Sequence, residues 1–483
     1  MSRKSIPKNM IMSTILTVSN FLFPLITYGY VSRVLGAAGT GQVAFVRSNL
    51  SYFVMFAGLG MASHGRRECA KVSDNKEALS RLTHELLGVN AIAVVISYIA
   101  LILALYLVPK FQQYKVLVLI MSIQIILGPM GVEWFYQGLE EYSYITKRSL
   151  LFKCISVVMT FVFVRDAGDV LWYGFISVFT TCASNLCNIF HLRKYIYVKN
   201  LGDYNLKKHI KPVLILFASS IAITIYANFD VSMLGFISTE REVGLYNAAV
   251  KIDTIVLSLS TAITSVLVPR MASYFGKGNI DQVKALSTKT IQISLLLAIP
   301  LALFIFVFAE NVVVFIGGTD YIEAAPTLRV KIMCVVPLLF ANLFGSQLLI
   351  PMGKEKRFTQ SVTVGIFINL VLNVLLIPTW GAVGAALGTL ATECWNMLWM
   401  GLPVRQYVEK NIKYLHYIIP MVISIVLAYI VGVELRALNV FWQLAITACV
   451  YFGIYYVIQY IRKESIVYQY TNVVLKKLHS CIE

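Results

Sequence analysis

The chain has 483 residues, 58% hydrophobic and only 13% charged, with a mean hydropathy of +0.73. Soluble domains carry about 25% charged residues, so this composition excludes an ordinary soluble enzyme or binding module and points to a chain whose solvent is lipid. The formal charge of +17 would suggest nucleic acid in a soluble protein; here the first question is where the basic residues fall relative to the apolar runs.

A helix needs about 20 apolar residues to cross the hydrocarbon layer. About fourteen such spans are expected, near 10–33, 41–63, 86–108, 115–137, 149–165, 170–192, 212–236, 244–267, 290–315, 326–350, 359–378, 383–403, 416–433 and 439–461. Their uninterrupted apolarity favours helices over the alternating pattern of barrel strands. The first imitates a signal peptide, but it is too long and further spans follow at once, so it is read as an uncleaved span. Pro24 should bend it. The stretch "GVEWFYQGLEEYSYITKRS" (131–149) reads as the turn between spans four and five, with Glu133 about one turn inside span four.

By position, about 30 of the 41 Lys and Arg lie in the N-terminus, in the connections after even-numbered spans and in the C-terminal tail. Examples are "HGRRECAKVSDNKEALSR", "RKYIYVKNLGDYNLKKHIK" and "GKEKR". The opposite connections, such as "GAAGTG" and "GGTDYIEAAP", hold about six. Both termini therefore read as cytoplasmic, and the positive charge is a topology signal instead of a nucleic-acid patch. The eight cysteines form no CxxC pair, and the six histidines show no metal-ligand spacing, so no metal or other cofactor is expected.

Two pairs of segments resemble each other at offsets of about 200 and 215 residues. "VSRVLGAAGTGQVAFVRS" (31–48) matches "VSMLGFISTEREVGLYNAAVKI" (231–252), each opening a new span at a glycine, Gly41 and Gly244. "FYQGLEEYSYITKRS" matches "LLIPMGKEKRFTQS". A duplicated six-span unit places the halves in the same orientation, as in transporters that hold their substrate between two repeats. The expected division is an N-lobe (1–211), a C-lobe (212–414) and two further spans with a cytoplasmic tail (415–483).

"VAFVRSNLSYFVMFAGLGMASHGRRECAK", "GVEWFYQGLEEYSYITKRS", "MLGFISTEREVGLYNAAVKI", "VLVPRM" and "LIPMGKEKRF" resemble the bacterial polysaccharide repeat-unit (O-antigen or capsule) flippases of the Wzx type. These belong to the superfamily that also holds the MATE drug exporters and the lipid II flippase. The likeness runs in order from residue 10 to about residue 400. It implies an all-α, polytopic membrane protein with two six-helix lobes around a central cavity that opens alternately to either side. It further implies a substrate, undecaprenyl diphosphate carrying an oligosaccharide, moved from the inner to the outer leaflet of the bacterial inner membrane. Spans one, two, seven and eight would line the cleft. One departure is Arg47, where relatives often carry an uncharged polar residue.

A charge at the bilayer centre costs about 2.5–3.5 kcal/mol on insertion scales, so charged residues inside spans must pair, snorkel or face water. Arg47, Asp230, Lys251 and Asp253 lie roughly 9–14 Å below the outer end of their spans, at 1.5 Å per residue. Arg47 and Lys251 are candidates to attract the diphosphate and saccharide. The alternative is an internal ion pair of Lys251 with Asp230 or Asp253. Glu133 and Lys153, at the cytoplasmic ends of adjacent spans, read as a stabilising pair. Glu310, Arg329 and Lys331 lie near the outer surface, where snorkelling suffices. Glu393 lies near the midplane of span twelve with no basic partner on its own helix. With Asp230 and Asp253 it is a candidate for coupling to a proton or sodium gradient.

The leading function is therefore flipping of lipid-linked oligosaccharide, with membrane lipids around it and polysaccharide polymerase and glycosyltransferases as candidate partners. A MATE-type exporter of small cations is the alternative, disfavoured by basic residues in the cleft. A membrane-embedded saccharide polymerase or ligase is more distant. It should carry a large outer loop, and the longest here is about ten residues on these span lengths. Nor is there a GxxxxGK[ST] nucleotide loop or a convincing catalytic constellation.

Overall fold

A computed structural model describes residues 6–409, 413–469 and 471–472. In chain order its α-helices are α1 (Ile6–Gly58), α2 (Met61–Val72), α3 (Lys76–Leu107), α4 (Pro109–Gln113), α5 (Lys115–Met130), α6 (Glu133–Gly138), α7 (Tyr142–Phe163), α8 (Val170–Val178), α9 (Ser184–Leu192), α10 (Lys207–Ile237) and α11 (Glu240–Gly276). There follow α12 (Ile280–Leu296), α13 (Ala298–Val307), α14 (Ala309–Gly317), α15 (Ala324–Met333), α16 (Val335–Asn342), α17 (Glu355–Gly401), α18 (Tyr414–Glu434) and α19 (Val440–Ile461). Among the described residues there is no strand. In hydrocarbon every backbone N–H and C=O needs an internal partner, which a helix supplies from its own segment.

Among the described residues, ten segments are long and apolar enough to cross a membrane. Two of them, Lys8–Val72 and Glu355–Tyr407, run through glycines with non-helical backbone, Gly36 (φ 66°) and Gly381 (φ 50°). The sequence reading counts each of these glycines as the turn between two spans. The expected spans five and eight correspond to α7 and α11, which lie outside the ten.

The chain divides into two compact units, Met1–Asn247 and Ala248–Glu483, with the boundary inside α11. In the first, α3 starts at Asn75, whose side chain accepts from the N–H groups of Glu77 and Ala78, the usual way an N-cap satisfies orphan donors. Exposed Ile92, Val95, Ile96, Ile99 and Leu103 give α3 an apolar outer face, as a lipid-bathed helix requires. Span four runs Lys115–Gly138, as expected, but is broken inside: α5 stops at Met130, after Pro129, and Val132 takes a left-handed backbone (φ 44°). The carbonyls freed at this break are taken up by three asparagine side chains. Asn185 donates to Leu127 O (2.8 Å), Asn90 to Pro129 O (3.1 Å) and Asn188 to Gly131 O (2.6 Å). Glu133 stands about one turn inside the end of that segment, as expected, but as the first residue of α6 and not on the helix of α5. Below it Trp134, Phe135 and Tyr136 pack with Met61, Leu82, Leu86 and Ile145 in a buried apolar cluster.

In the second unit, α18 and α19 are tied to the helices before them. Tyr451 and Tyr455 on α19 donate to Pro300 O (3.1 Å) and Leu295 O (3.2 Å), and Gln443 donates to Gly432 O on α18 (2.8 Å). The seven described cysteines are free; Cys481 lies outside the described residues.

Candidate functional site

Below the turn at Gly36, the second half of α1 presents one stripe to α10. Phe45 packs edge-on against Phe236 at 5.1 Å between centroids, and a Cβ on Gly235 would run into its ring. Three residues on, Ser48 Oγ lies 2.6 Å from Ser232 Oγ, and Ser232 donates to Tyr52 OH (3.3 Å). Residues 45, 48 and 52 recur at helical spacing and form a polar-floored seam within the first unit.

Arg47 is half-buried on α1. At about 100° per residue it projects roughly 120° away from that stripe. Asp230 on α10 accepts a hydrogen bond from Tyr246 OH on α11 at 2.6 Å. Lys251 is half-buried on α11. Asp253, two residues further along the same helix, is buried and faces Lys331 on α15, with Nζ 3.8 Å from Oδ2. This corrects the expectation for Lys331. It does not snorkel to the surface but is buried beside a carboxylate, where two opposite charges lower each other's desolvation cost. Arg329 and Glu310 meet at 2.9 Å, beside a polar cavity of about 380 Å³ that also receives Asn311, Arg436 and Gln443.

The expected pairing of Glu133 with Lys153 is also corrected. Glu133 lies 3.7 Å from Arg148, whose guanidinium is buried and donates to the Asn188 side chain. Lys153 donates instead to Ser19 Oγ (2.7 Å) and Asn20 Oδ1 (2.6 Å) on α1. The reason is the break at Pro129, which moves Glu133 off the helix on which the pairing was reckoned. Glu393 on α17 is buried (2% exposed), and its Oε1 has no hydrogen-bond partner.

Two polar clusters escaped the sequence reading. At the end opposite the basic loops, Glu240 accepts from Tyr114 OH and lies 3.2 Å from Lys110 Nζ, joining α4 and the residue before α5 to the first turn of α11. Burial alone would raise the Glu240 carboxyl, but the Tyr114 and Lys110 donors outweigh it and hold it below the usual carboxylate range. At the basic end, Glu85 binds Lys208 Nζ (2.7 Å) and His209 Nε2 (3.0 Å), and His209 Nδ1 lies 3.0 Å from His64 Nε2. In sequence these residues stand in or beside the basic loops; the signal lay in two histidines in the first turns of their helices and one carboxylate in the third turn of another. An apolar groove of about 640 Å³ lies alongside, lined by Tyr52, Phe56, Ile92, Ile96, Ile210 and Leu214 among others.

The family model described as "Polysaccharide biosynthesis protein" matches residues 6–275, more than half of the chain. This chain belongs to that polysaccharide biosynthesis protein family. The MatE family model also matches, over residues 216–375. Among curated relatives, a protein of Escherichia coli (strain K12) named "Putative O-antigen transporter" is 26% identical over 402 residues, covering 81% of this chain and 95% of that protein. The lipid II flippase MurJ of Bacillus subtilis (strain 168) is 28% identical over 191 residues, 38% of this chain and 34% of that protein. Among solved structures, lipid II flippase MurJ in an inward closed conformation aligns with a TM-score of 0.76 at 13% identity, over 95% of this chain and 100% of that one. An inward-facing multidrug resistance MATE family transporter of the MOP superfamily aligns at 0.62 and 15% identity, over 80% of this chain and 94% of that one. The fold is thus of the MOP-superfamily type, all-α and multi-pass, as the sequence motifs implied.

Proposed function

We propose that this protein is a flippase, not an enzyme, which carries lipid-linked oligosaccharide units across the bilayer by alternating access. The observation that carries this reading is the alignment, along four-fifths of the chain, with nearly the whole of the E. coli O-antigen transporter homologue. The MurJ-type fold supports it, because it supplies a helical scaffold without a nucleotide loop.

The finer reading is as follows. The substrate is undecaprenyl diphosphate bearing a repeat unit for O-antigen, capsule or a related polymer. It moves from the cytoplasmic to the outer leaflet of the bacterial inner membrane, with both chain termini cytoplasmic. The lobes are 1–211 and 212–414, followed by the two terminal spans. Arg47 and Lys251 attract the diphosphate and saccharide, since a guanidinium forks onto phosphate oxygens and an ammonium supplies a compact counter-charge. Asp230, Asp253 and Glu393 couple transport to a proton or sodium gradient, and polymerase and glycosyltransferases act beside the protein.

Deletion of the gene tests the proposal. Undecaprenyl-linked repeat units should accumulate on the inner face while surface polymer disappears; normal polymer without accumulation would overturn it. The match of the MatE model favours a second reading, export of small cations. Purified protein in proteoliposomes should release no organic cation under a proton gradient, and robust release would favour that exporter instead.

A further inference from the structure

Glu85, His209 and His64 form a continuous buried chain that no transport residue named above explains. Each comes from a different helix: Glu85 from the third turn of α3, His209 from the first turn of α10, His64 from the first turn of α2. All three are nearly inaccessible, at 1%, 4% and 3% exposure. Glu85 is held on two sides. Oε1 accepts the backbone N–H of Asn205 (2.8 Å), while Oε2 meets Lys208 Nζ at 2.7 Å and His209 Nε2 at 3.0 Å. His209 Nδ1 and His64 Nε2 are 3.0 Å apart, and the far nitrogen of His64, Nδ1, is buried without a partner.

We propose that Glu85, His209 and His64 constitute a binding site for a single proton, and that this proton clamps the basic-side ends of α2, α3 and α10 together. The argument is a count of donors and acceptors. With both imidazoles neutral, His209 donates Nε2–H to the Glu85 carboxylate and its Nδ1 lone pair accepts Nε2–H of His64. Every contact then has one donor and one acceptor, and only Nδ1 of His64 is left bare. An added proton has one place to enter, that bare Nδ1. When it binds there, the proton on His64 Nε2 passes to His209 Nδ1. His64 becomes the neutral Nδ1–H form, and His209 becomes an imidazolium that donates to Glu85 on one side and His64 on the other. No hydrogen bond is lost, and the contact with Glu85 becomes a charge-assisted pair. A second proton is rejected, because His64 and His209 would then turn N–H against N–H across 3.0 Å.

The surrounding charges leave this capacity to the three residues. On α2, Glu68 is engaged by Arg67 (3.2 Å) and Lys71 (2.8 Å). On α6, packed against α2, Glu133 faces Arg148 at 3.7 Å. At the start of α3, Glu77 faces Arg81 at 3.9 Å. Among the described residues, Glu85 is the carboxylate in hydrogen-bond contact with the histidine pair, and Lys208 supplies the cation that keeps it ionised when the proton leaves. The consequence for transport rests on the flippase reading: proton release would loosen α10 from α2 and α3 at the face where the lipid-linked substrate enters.

The test uses the full chain in lipid nanodiscs and needs no substrate, so it stands apart from the gene-deletion experiment. Histidine-labelled wild-type protein is titrated by solid-state ¹⁵N NMR. His64 and His209 should take up one proton between them in a single coupled step, with His209 in the doubly protonated form. Independent titration of each ring near the ordinary histidine value of about 6.5 would overturn the proposal. In parallel, hydrogen exchange of residues 61–72 and 205–212, corrected for intrinsic pH dependence, should slow about tenfold on proton binding, the factor of a one-unit displacement. Glu85→Gln and His209→Gln should flatten that response while His84→Gln, on the exposed flank of α3, keeps it. Equal responses in wild type and both variants would also overturn it.

Discussion

Gly41 and Gly244 are reciprocal neighbours. A Cβ on Gly41 would strike Glu240 O and lie 2.8 Å from Gly244 N; a Cβ on Gly244 would strike Ala37 O and lie 3.0 Å from Ala37 Cα. Each glycine therefore packs on the residue four before the other. A contact repeated in both directions is what a two-fold relation between two similar segments produces. These are the segments that resemble each other in sequence, and the glycines that open them are needed because two backbones touch.

Gly41→Ala and Gly244→Ala should each lower stability by about 1–3 kcal/mol, the cost of overpacking a site that cannot relax. Thermal unfolding in detergent checks this, with Gly276→Ala as the comparison, since nothing lies within 4 Å of a Cβ there. Equal melting temperatures for all three variants would contradict the contact.

Arg47→Ala and Lys251→Ala should each abolish surface polysaccharide while the protein remains in the membrane at normal abundance. Arg47→Lys should restore part of the activity if charge alone matters and none if the forked guanidinium is required. Normal polymer from both alanine variants would remove the cationic site.

Arg148→Ala should destabilise by about 1–3 kcal/mol, because it strands the buried Asn188 amide and leaves Glu133 uncompensated. A double-mutant cycle decides the partner. Glu133→Gln combined with Arg148→Ala should be non-additive, and more so than Glu133→Gln combined with Lys153→Ala.

The Glu240 cluster makes a pH prediction. Its carboxyl is held below the usual range in the folded protein. Its contribution should therefore be present in full above the ordinary carboxylate value of about 4.3 and be lost as pH falls through the lower folded value. The melting-temperature gap between wild type and Glu240→Gln should be clear at pH 7 and should shrink below about pH 4. A gap independent of pH would mean the contact is not ionic.

Glu393→Gln should leave the fold intact, since a neutral amide suits a buried site at least as well as a carboxylate. If Glu393 couples transport to protons, this variant should still bind lipid-linked substrate but lose its response to an imposed proton gradient in proteoliposomes. Retention of the full response by Glu393→Gln and by Asp230→Asn would exclude both from coupling.

The all-helical, multi-pass class was legible because it is written in local pattern. Twenty apolar residues in a row mean a crossing whatever surrounds them, and basic loops lie where the bilayer sorts them. Glu133 marks where this reasoning fails. Its partner was reckoned on an unbroken helix, but Pro129 and Gly131 end that helix, and the break survives only because Asn90, Asn185 and Asn188 arrive from other helices to bind the freed carbonyls.

By itself, then, the sequence determined solvent and helical class, because these follow from composition and spacing along the chain. Only the tertiary structure decided which charge meets which: Arg148 instead of Lys153 beside Glu133, Lys331 beside Asp253, and the His64–His209–Glu85 chain. Hydrogen bonds and ion pairs act over about 3–4 Å between side chains of separate helices. No periodicity along one helix records the rotation of its neighbour.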